Sequence, residues 1–273
     1  MKRKRQTATI IRHITAVLVI IVILSSAIST TALDTTYSHE CITSEELVSY
    51  VLEQLGNREP NFTVTIPDSL PEASLSNSEL FWDILRQDNG FIRWGYKGGI
   101  VRIMKSPGYI SYEYNIEYYA TKEEDDFSRS FATDIVAEWN IEELTDFEKI
   151  EMLAGYITEN WRYDESLESM TAYTTMTTGE GTCLGQVMAS MLILDNLGLR
   201  SQTIHGMFTG IDGTHIMLLV ELGDWWYTFD PSDLSRETPS YASYLKSSYR
   251  AMFTPKPEYL TEAFLTIHPM DNG

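Results

Sequence analysis

The chain has two cysteines in 273 residues, Cys41 and Cys183, too few for a disulfide framework. It lacks internal repeats, and no low-complexity block is long enough to act as a linker. Basic residues are scarce: 20 Lys and Arg stand against 39 Asp and Glu, a net charge of −19. That balance argues against nucleic acid or an anionic membrane surface as a partner. Long hydrophobic runs are missing too. The longest uninterrupted apolar stretch, Ala16–Leu24, is too short to span ~30 Å of hydrocarbon alone. No G-x-S-x-G elbow, Walker loop, dinucleotide-binding glycine turn, H-E-x-x-H or EF-hand loop occurs, which removes the common hydrolase, nucleotide, zinc-protease and calcium signatures.

What is present is a folded-protein composition, 43% hydrophobic and 12% aromatic, with enough chain for one large domain or two small ones. Residues 1–32 read separately. A basic start (Lys2, Arg3, Lys4, Arg5, Arg12), the short apolar run and a small polar stretch ending at Thr30 and Ala32 have the order of a secretory signal. The rival is a membrane anchor, if the apolar segment extends to Leu33. Cleavage would remove those five cations and no acid, moving the charge from −19 to −24. The expectation is a secreted or extracytoplasmic protein that meets the membrane only through this segment.

Along the rest of the chain, Leu47, Val48, Val51, Leu52 and Leu55 give Ser44–Asn57 a helical rhythm. Phe62–Ile66, Gly98–Met104 and Tyr109–Thr121 alternate as strands, and Ser76–Asp88 reads as a helix. Thr121 with Glu124, and Thr145 with Glu148, have capping-box spacing at the heads of two further helices. A third helix starts near Thr182 and stops at Gly198. Strands then follow over Leu199–Met207, Thr214–Leu222 and Trp225–Asp230. Helices followed by antiparallel strands mean an α+β architecture with the Cys183 helix laid against a sheet. The expected division is an accessory α+β region over 33–140 and a catalytic domain over 141–273.

The last two strands flank Glu221-Leu222-Gly223-Asp224 and should form a hairpin. With a four-residue turn, His215 falls opposite Asp230. With a Gly223-Asp224 turn, it becomes the diagonal neighbour on the same face. Either register lets imidazole and carboxylate approach, whereas a three-residue loop would separate them. Cys183, at a helix start, would gain thiolate character from the helix end and from an imidazolium. The amides there could hold an oxyanion, and Gly179, Gly181 and Gly185 would let the backbone approach a substrate closely. His205 is a rival base without an acid at hairpin spacing. Cys183, His205, His215 and Asp230 could ligate zinc by residue type, but nothing in their spacing supports it. A Cys41–Cys183 bridge would silence the thiol and is not expected.

The ordered set G-x-G-x-C-x-G (Gly179–Gly185), Thr214-His215 and G-D-W-W-Y-T-F-D-P (Gly223–Pro231) resembles the transglutaminase-like superfamily, and Thr145–Asp164 is similar to the segment preceding the core of its bacterial members. The resemblance implies a papain-like fold with Cys183 as nucleophile, His215 as general base then acid, and Asp230 as its orienter. It covers residues 145–231. His215-Ile216-Met217 departs from the frequent His-Ala-Trp, and the aromatic oxyanion donor of animal transglutaminases has no matched position, Trp161 and Tyr163 being the candidates. The expectation is an exported cysteine acyl-transfer enzyme with no cofactor, metal or calcium, acting on peptide or glutamine amides, with hydrolysis favoured. The alternatives are a cross-linking transglutaminase with an amine co-substrate, and a non-catalytic extracellular binding module.

Overall fold

The computed structural model describes residues 37–88, 90–209, 213–237 and 253–259. The expected signal or anchor, residues 1–32, lies outside them. The described residues from Ser38 onward cluster as one compact unit, and among the described residues no helix is long and apolar enough to cross a membrane.

The first half builds one layer of helices on one sheet. Helix α1 (Ser44–Gly56) and helix α2 (Asn77–Leu85) open with the capping boxes Thr43/Glu46 and Ser76/Glu79. Each satisfies otherwise orphaned amides at the helix start. Strands β1 (Tyr37–Glu40), β2 (Asn61–Pro67), β3 (Tyr96–Ser106) and β4 (Tyr109–Tyr118) form a sheet of order β1-β2-β4-β3. The alternation in β4 buries Ile110, Tyr112, Tyr114 and Ile116 on one face. They pack with Leu47, Val51, Phe62, Val64, Leu80 and Ile84, and with Cys41, which is fully buried. Both cysteines are free. Burial, then the charge of Glu46, pushes the Cys41 thiol up to about 11.

The second half surrounds a single helix. Helices α4 (Lys122–Ala137) and α5 (Asp146–Asn160) carry the two expected capping boxes. Between the halves lies α3 (Phe91–Gly95), and short α6 (Ala172–Thr178) precedes α7 (Cys183–Asn196). Every residue of α7 from Gly185 to Leu194 is buried, because α4, α6 and the second sheet enclose it on all sides. That sheet has the order β10-β7-β8-β9 with antiparallel pairing throughout: β7 (Ser201–Phe208), β8 (His215–Leu222), β9 (Trp225–Phe229) and β10 (Phe253–Pro255). The α+β expectation holds.

Helix α4 packs with this later core through Ala132, Ile135 and Val136, although the sequence reading placed it N-terminal to a boundary at residue 141. Its buried Asp125 also ties it to the first half: Arg58 Nε donates to Asp125 Oδ2 at 2.6 Å, with both side chains almost fully buried. Arg58 takes a left-handed backbone (φ 58°) to reach it.

Candidate active site

Two short strands carry the chain into the site. β5 (Arg162–Tyr163) pairs in parallel with β6 (Glu180–Gly181), placing Tyr163 beside Gly181, two residues before Cys183. Thr182 then caps α7, its hydroxyl accepting from Gly185 N at 3.3 Å. The first intrahelical bond runs from Gln186 N to Thr182 O at 3.0 Å. The amides of Cys183 and Leu184 therefore precede the helical ladder and form its positive end.

The β8–β9 register settles the hairpin. Leu222 pairs with Trp225 and Val220 with Tyr227, so the turn is Gly223-Asp224. A positive φ of 62° at Gly223 is the mark of a turn with glycine at its first central position. His215 is then the diagonal neighbour of Asp230, and its Nε2 meets Asp230 Oδ2 at 2.8 Å. The ring is tilted against Phe208, centroids 5.5 Å apart. On the neighbouring strand Gly206 pairs with His215 and His205 with Ile216, so the two histidines project from opposite faces. His205 instead sits edge-on to Trp94, centroids 5.0 Å apart. Among the described residues no group of three or more His, Cys, Asp or Glu could hold a metal.

The structure brings Cys183, His215 and Asp230 together. The Cys183 thiol is influenced by the His215 ring and by the Ile216 N–H, both of which favour its anion. With Nε2 committed to Asp230, Nδ1 is the ring nitrogen left for the sulfur. Burial would raise the thiol's pKa, but the hydrogen bond and charge of His215 outweigh it and hold Cys183 below its ordinary value. For His215, burial pulls down, while the charge and hydrogen bond of Asp230, followed by Cys183, push it up to about 10. Asp230 is held below the usual carboxylate range despite its burial, by His215 first and then by Ser232 and the Asp233 N–H. The opposite shifts on Cys183 and His215 act in the direction that favours a thiolate–imidazolium pair over the neutral one, with the buried Asp230 carboxylate behind the ring.

Asp230 is fixed at its other oxygen. Oδ1 accepts from Ser232 Oγ at 2.8 Å, Ser232 N at 3.2 Å and Asp233 N at 3.3 Å. The carboxylate is thereby the cap of α8 (Pro231–Leu234), whose Pro231 supplies a preset φ at the first position. Gln186 joins the pieces. Its buried Nε2 donates to Gly181 O (2.9 Å), Ser235 Oγ (2.8 Å) and Arg162 O (3.2 Å). One amide thus ties the nucleophile helix to β5, β6 and the segment that presents Asp230. Sequence reading missed Gln186 and Ser232. The signals were a lone amide inside an apolar helix and an Asp-Pro-Ser that reads as a helix cap.

The glycine expectation is corrected. A Cβ at Gly181 would lie 2.3 Å from Thr175 Oγ1, and one at Gly185 2.6 Å from Ser169 O; at Gly179 it would meet Asn160 O at 2.8 Å. These glycines let protein segments close on each other rather than on a substrate. Of the two aromatic candidates, Trp161 is buried in the core. Tyr163 is half-buried and feels the charges of Cys183 and Asp230, with Arg236 4.1 Å above its ring.

Residues 131–231 match the sequence model of the transglutaminase-like superfamily. No curated protein matches the chain at a significant level. Among solved structures it is similar to a transglutaminase (11% identity, 79% of this chain and 64% of that one, TM-score 0.38). A provisionally assigned cysteine protease from Cytophaga hutchinsonii is similar at 12% identity, over 50% of this chain and 63% of that one, with a TM-score of 0.35. A provisionally assigned protease from Parabacteroides distasonis follows at 10%, 59%, 38% and 0.25 in the same order. The chain thus spans less than two thirds of the length of each.

Proposed function

We propose that the protein is a cysteine acyl-transfer enzyme that hydrolyses peptide or side-chain amides through Cys183, His215 and Asp230, a reading supported by the match of residues 131–231 to the transglutaminase-like superfamily model. The observation that carries this reading is the unbroken chain from Asp230 through His215 to a lowered Cys183 thiol at the front of a buried helix. A core cysteine needs none of these partners. Burial alone would raise its pKa, as it does at Cys41.

The Cys183 thiolate attacks the amide carbonyl carbon, and the carbonyl electron pair moves to oxygen. The amides of Cys183 and Leu184 face the developing oxyanion. Collapse of the intermediate breaks the C–N bond, and the imidazolium gives its Nδ1 proton to the departing amine, leaving a thioester. His215 then takes a proton from water, hydroxide adds to the thioester carbonyl, and the acid leaves as Cys183 recovers its thiolate. Asp230 accepts from Nε2 throughout, fixing the ring and stabilising the imidazolium. An amine in place of the water would give transamidation by the same steps, and that is the outcome the reading competes with. Peptide substrates outside the cytoplasm fit the leader-like residues 1–32.

The test is mass spectrometry of the intact full-length chain after rapid mixing with a peptide library. The expected result is acyl adducts on Cys183 that decay in water, absent from Cys183→Ala. Hydrolysis that survives Cys183→Ala would overturn the reading, and adducts that resolve only on amines would convert it to transamidation.

A further inference from the structure

One acid near the site takes no part in the triad. Asp164, 8% exposed, follows β5 and opens a tight turn that ends at Ser169. Its Oδ1 accepts from Ser166 N (2.9 Å) and Ser166 Oγ (2.6 Å), and its Oδ2 from Ser169 N (2.8 Å) and Glu168 N (3.1 Å). Leu167 N closes on Asp164 O at 3.3 Å within the same turn. These side-chain bonds, the Ser166 hydroxyl foremost, hold the carboxyl far below the usual carboxylate range. It therefore stays ionised at any pH at which a thiol is assayed.

What the turn grips is the backbone in front of the nucleophile. Asp164 N donates to Gly181 O at 3.0 Å. At the far end, Ser169 O accepts from both Thr182 N (2.9 Å) and Thr182 Oγ1 (3.2 Å). The same carbonyl presses so closely on α7 that a Cβ at Gly185 would lie 2.6 Å from it. Thr182 is thus held at its N–H by Ser169, while its own carbonyl is held by Gln186 N at 3.0 Å. The peptide joining Thr182 to Cys183 is planar and trans, so the Cys183 N–H points opposite to that carbonyl and is aimed once Thr182 is. No bond of the helical ladder steadies this amide, so its direction depends on the bracing of Thr182. The residue that braces it, Ser169, is the one whose N–H the Asp164 carboxylate takes.

We propose that Asp164 is a positioning residue for acyl transfer: through Ser169 and Thr182 it aims the Cys183 amide at the oxyanion formed on the attacked carbonyl. The proposal rests on the cysteine-enzyme reading above and adds to it a group that touches neither substrate nor thiol. Among the described residues, no hydrogen bond of Asp164 goes to His215, Asp230 or the sulfur. Its effect therefore falls on steps that build an oxyanion and leaves the thiolate pair alone.

The experiment compares two small neutral reagents on the full chain. With p-nitrophenyl acetate, the thiolate adds to the ester carbonyl, an oxyanion forms, and its collapse expels p-nitrophenolate and leaves an acetyl thioester. With iodoacetamide, the thiolate displaces iodide from a CH2 carbon and no oxyanion arises. Asp164→Ala should lose on the order of 10–10²-fold in the acylation rate at saturating ester, the scale of a small misplacement of a catalytic group. Its iodoacetamide rate and pH profile at Cys183 should match wild type, with Cys41 unlabelled as the sign of an intact fold. Asp164→Asn should keep most of the acylation rate, because its amide oxygen can hold Ser169 N and Glu168 N while its NH2 donates to Ser166 Oγ. An Asp164→Ala protein that loses equally with both reagents, or with neither, would overturn the proposal. Should Asp164→Ala expose Cys41, Asp164→Glu decides by the same ratio, since it keeps the charge and displaces the oxygens. Failure of the underlying reading looks different: wild-type Cys183 would then react with iodoacetamide at the pace and pH dependence of an ordinary thiol.

Discussion

Replacing Asp230 by asparagine isolates what the carboxylate does. The side chain is 2% exposed, and asparagine keeps its shape. The new amide oxygen would stay with the three donors from Ser232 and Asp233, preserving the helix cap. That turns the NH2 group toward His215 Nε2, where the native oxygen now sits at 2.8 Å. Nε2 must then accept, the ring proton moves to Nδ1, and the imidazolium loses its counter-charge. In the native protein His215 rises from 6.5 to about 10, equivalent to about 5 kcal/mol in favour of the imidazolium. Asp230 precedes Cys183 among the groups that raise it. Removing its charge should forfeit the largest favourable part of this. Without the imidazolium, burial governs the thiol and its pKa returns to the ordinary range or above. At pH 6 the thiolate fraction, and with it the alkylation rate, should fall on the order of 10²–10³-fold. The assay is iodoacetamide labelling from pH 4 to 10 with peptide mass mapping. Cys41, fully buried and raised to about 11, serves as the internal control for unfolding. An Asp230→Asn protein that keeps the wild-type rate and plateau at pH 6 would refute the reasoning, since the pair would then not depend on the carboxylate.

Other outcomes follow from the same geometry. His215 has a raised folded pKa, so its contribution to stability is present below 6.5 and is lost as pH rises through about 10. Asp230 is lowered, so its share is present above 3.8 and is lost as pH falls through its folded value. Urea midpoints should therefore decline toward both extremes, and Asp230→Asn should flatten the alkaline decline. Gln186→Leu removes the two N–H groups that Nε2 shares among Arg162 O, Gly181 O and Ser235 Oγ, while Gly181 O keeps the Asp164 N–H; urea denaturation should register a loss of about 2 kcal/mol, whereas a loss below about 1 would mean the amide is not a structural tie. For export, N-terminal sequencing of protein recovered from the medium should begin at Leu33, and recovery of an intact Met1 in the membrane fraction would favour the anchor.

Several elements were legible because their signals are local. The capping boxes at Thr121 and Thr145, the alternation in β4 and the apolar rhythm of α1 and α7 each depend on residues within one or two turns, so no distant contact could override them. The nomination of His215 and Asp230 was nearly as local. A hairpin fixes its own register within a choice of turn lengths, and two of the three choices kept the residues on one face. What the chain alone could not decide was everything that depends on convergence of distant segments. The turn length was one such case, settled at two residues with a positive φ at Gly223. The glycines were another: their spacing suits either a substrate or a close neighbour, and only Thr175, Ser169 and Asn160 show that the neighbour is protein. Gln186 and Ser232 read as unremarkable polar residues until β5, β6 and α8 meet around them. The sequence determined which residues have the chemistry, since side-chain type and short-range periodicity are local properties. The tertiary structure decided which of them share a proton, because burial and hydrogen-bond distance exist only once residues 163, 183, 215 and 230 have been brought to one place.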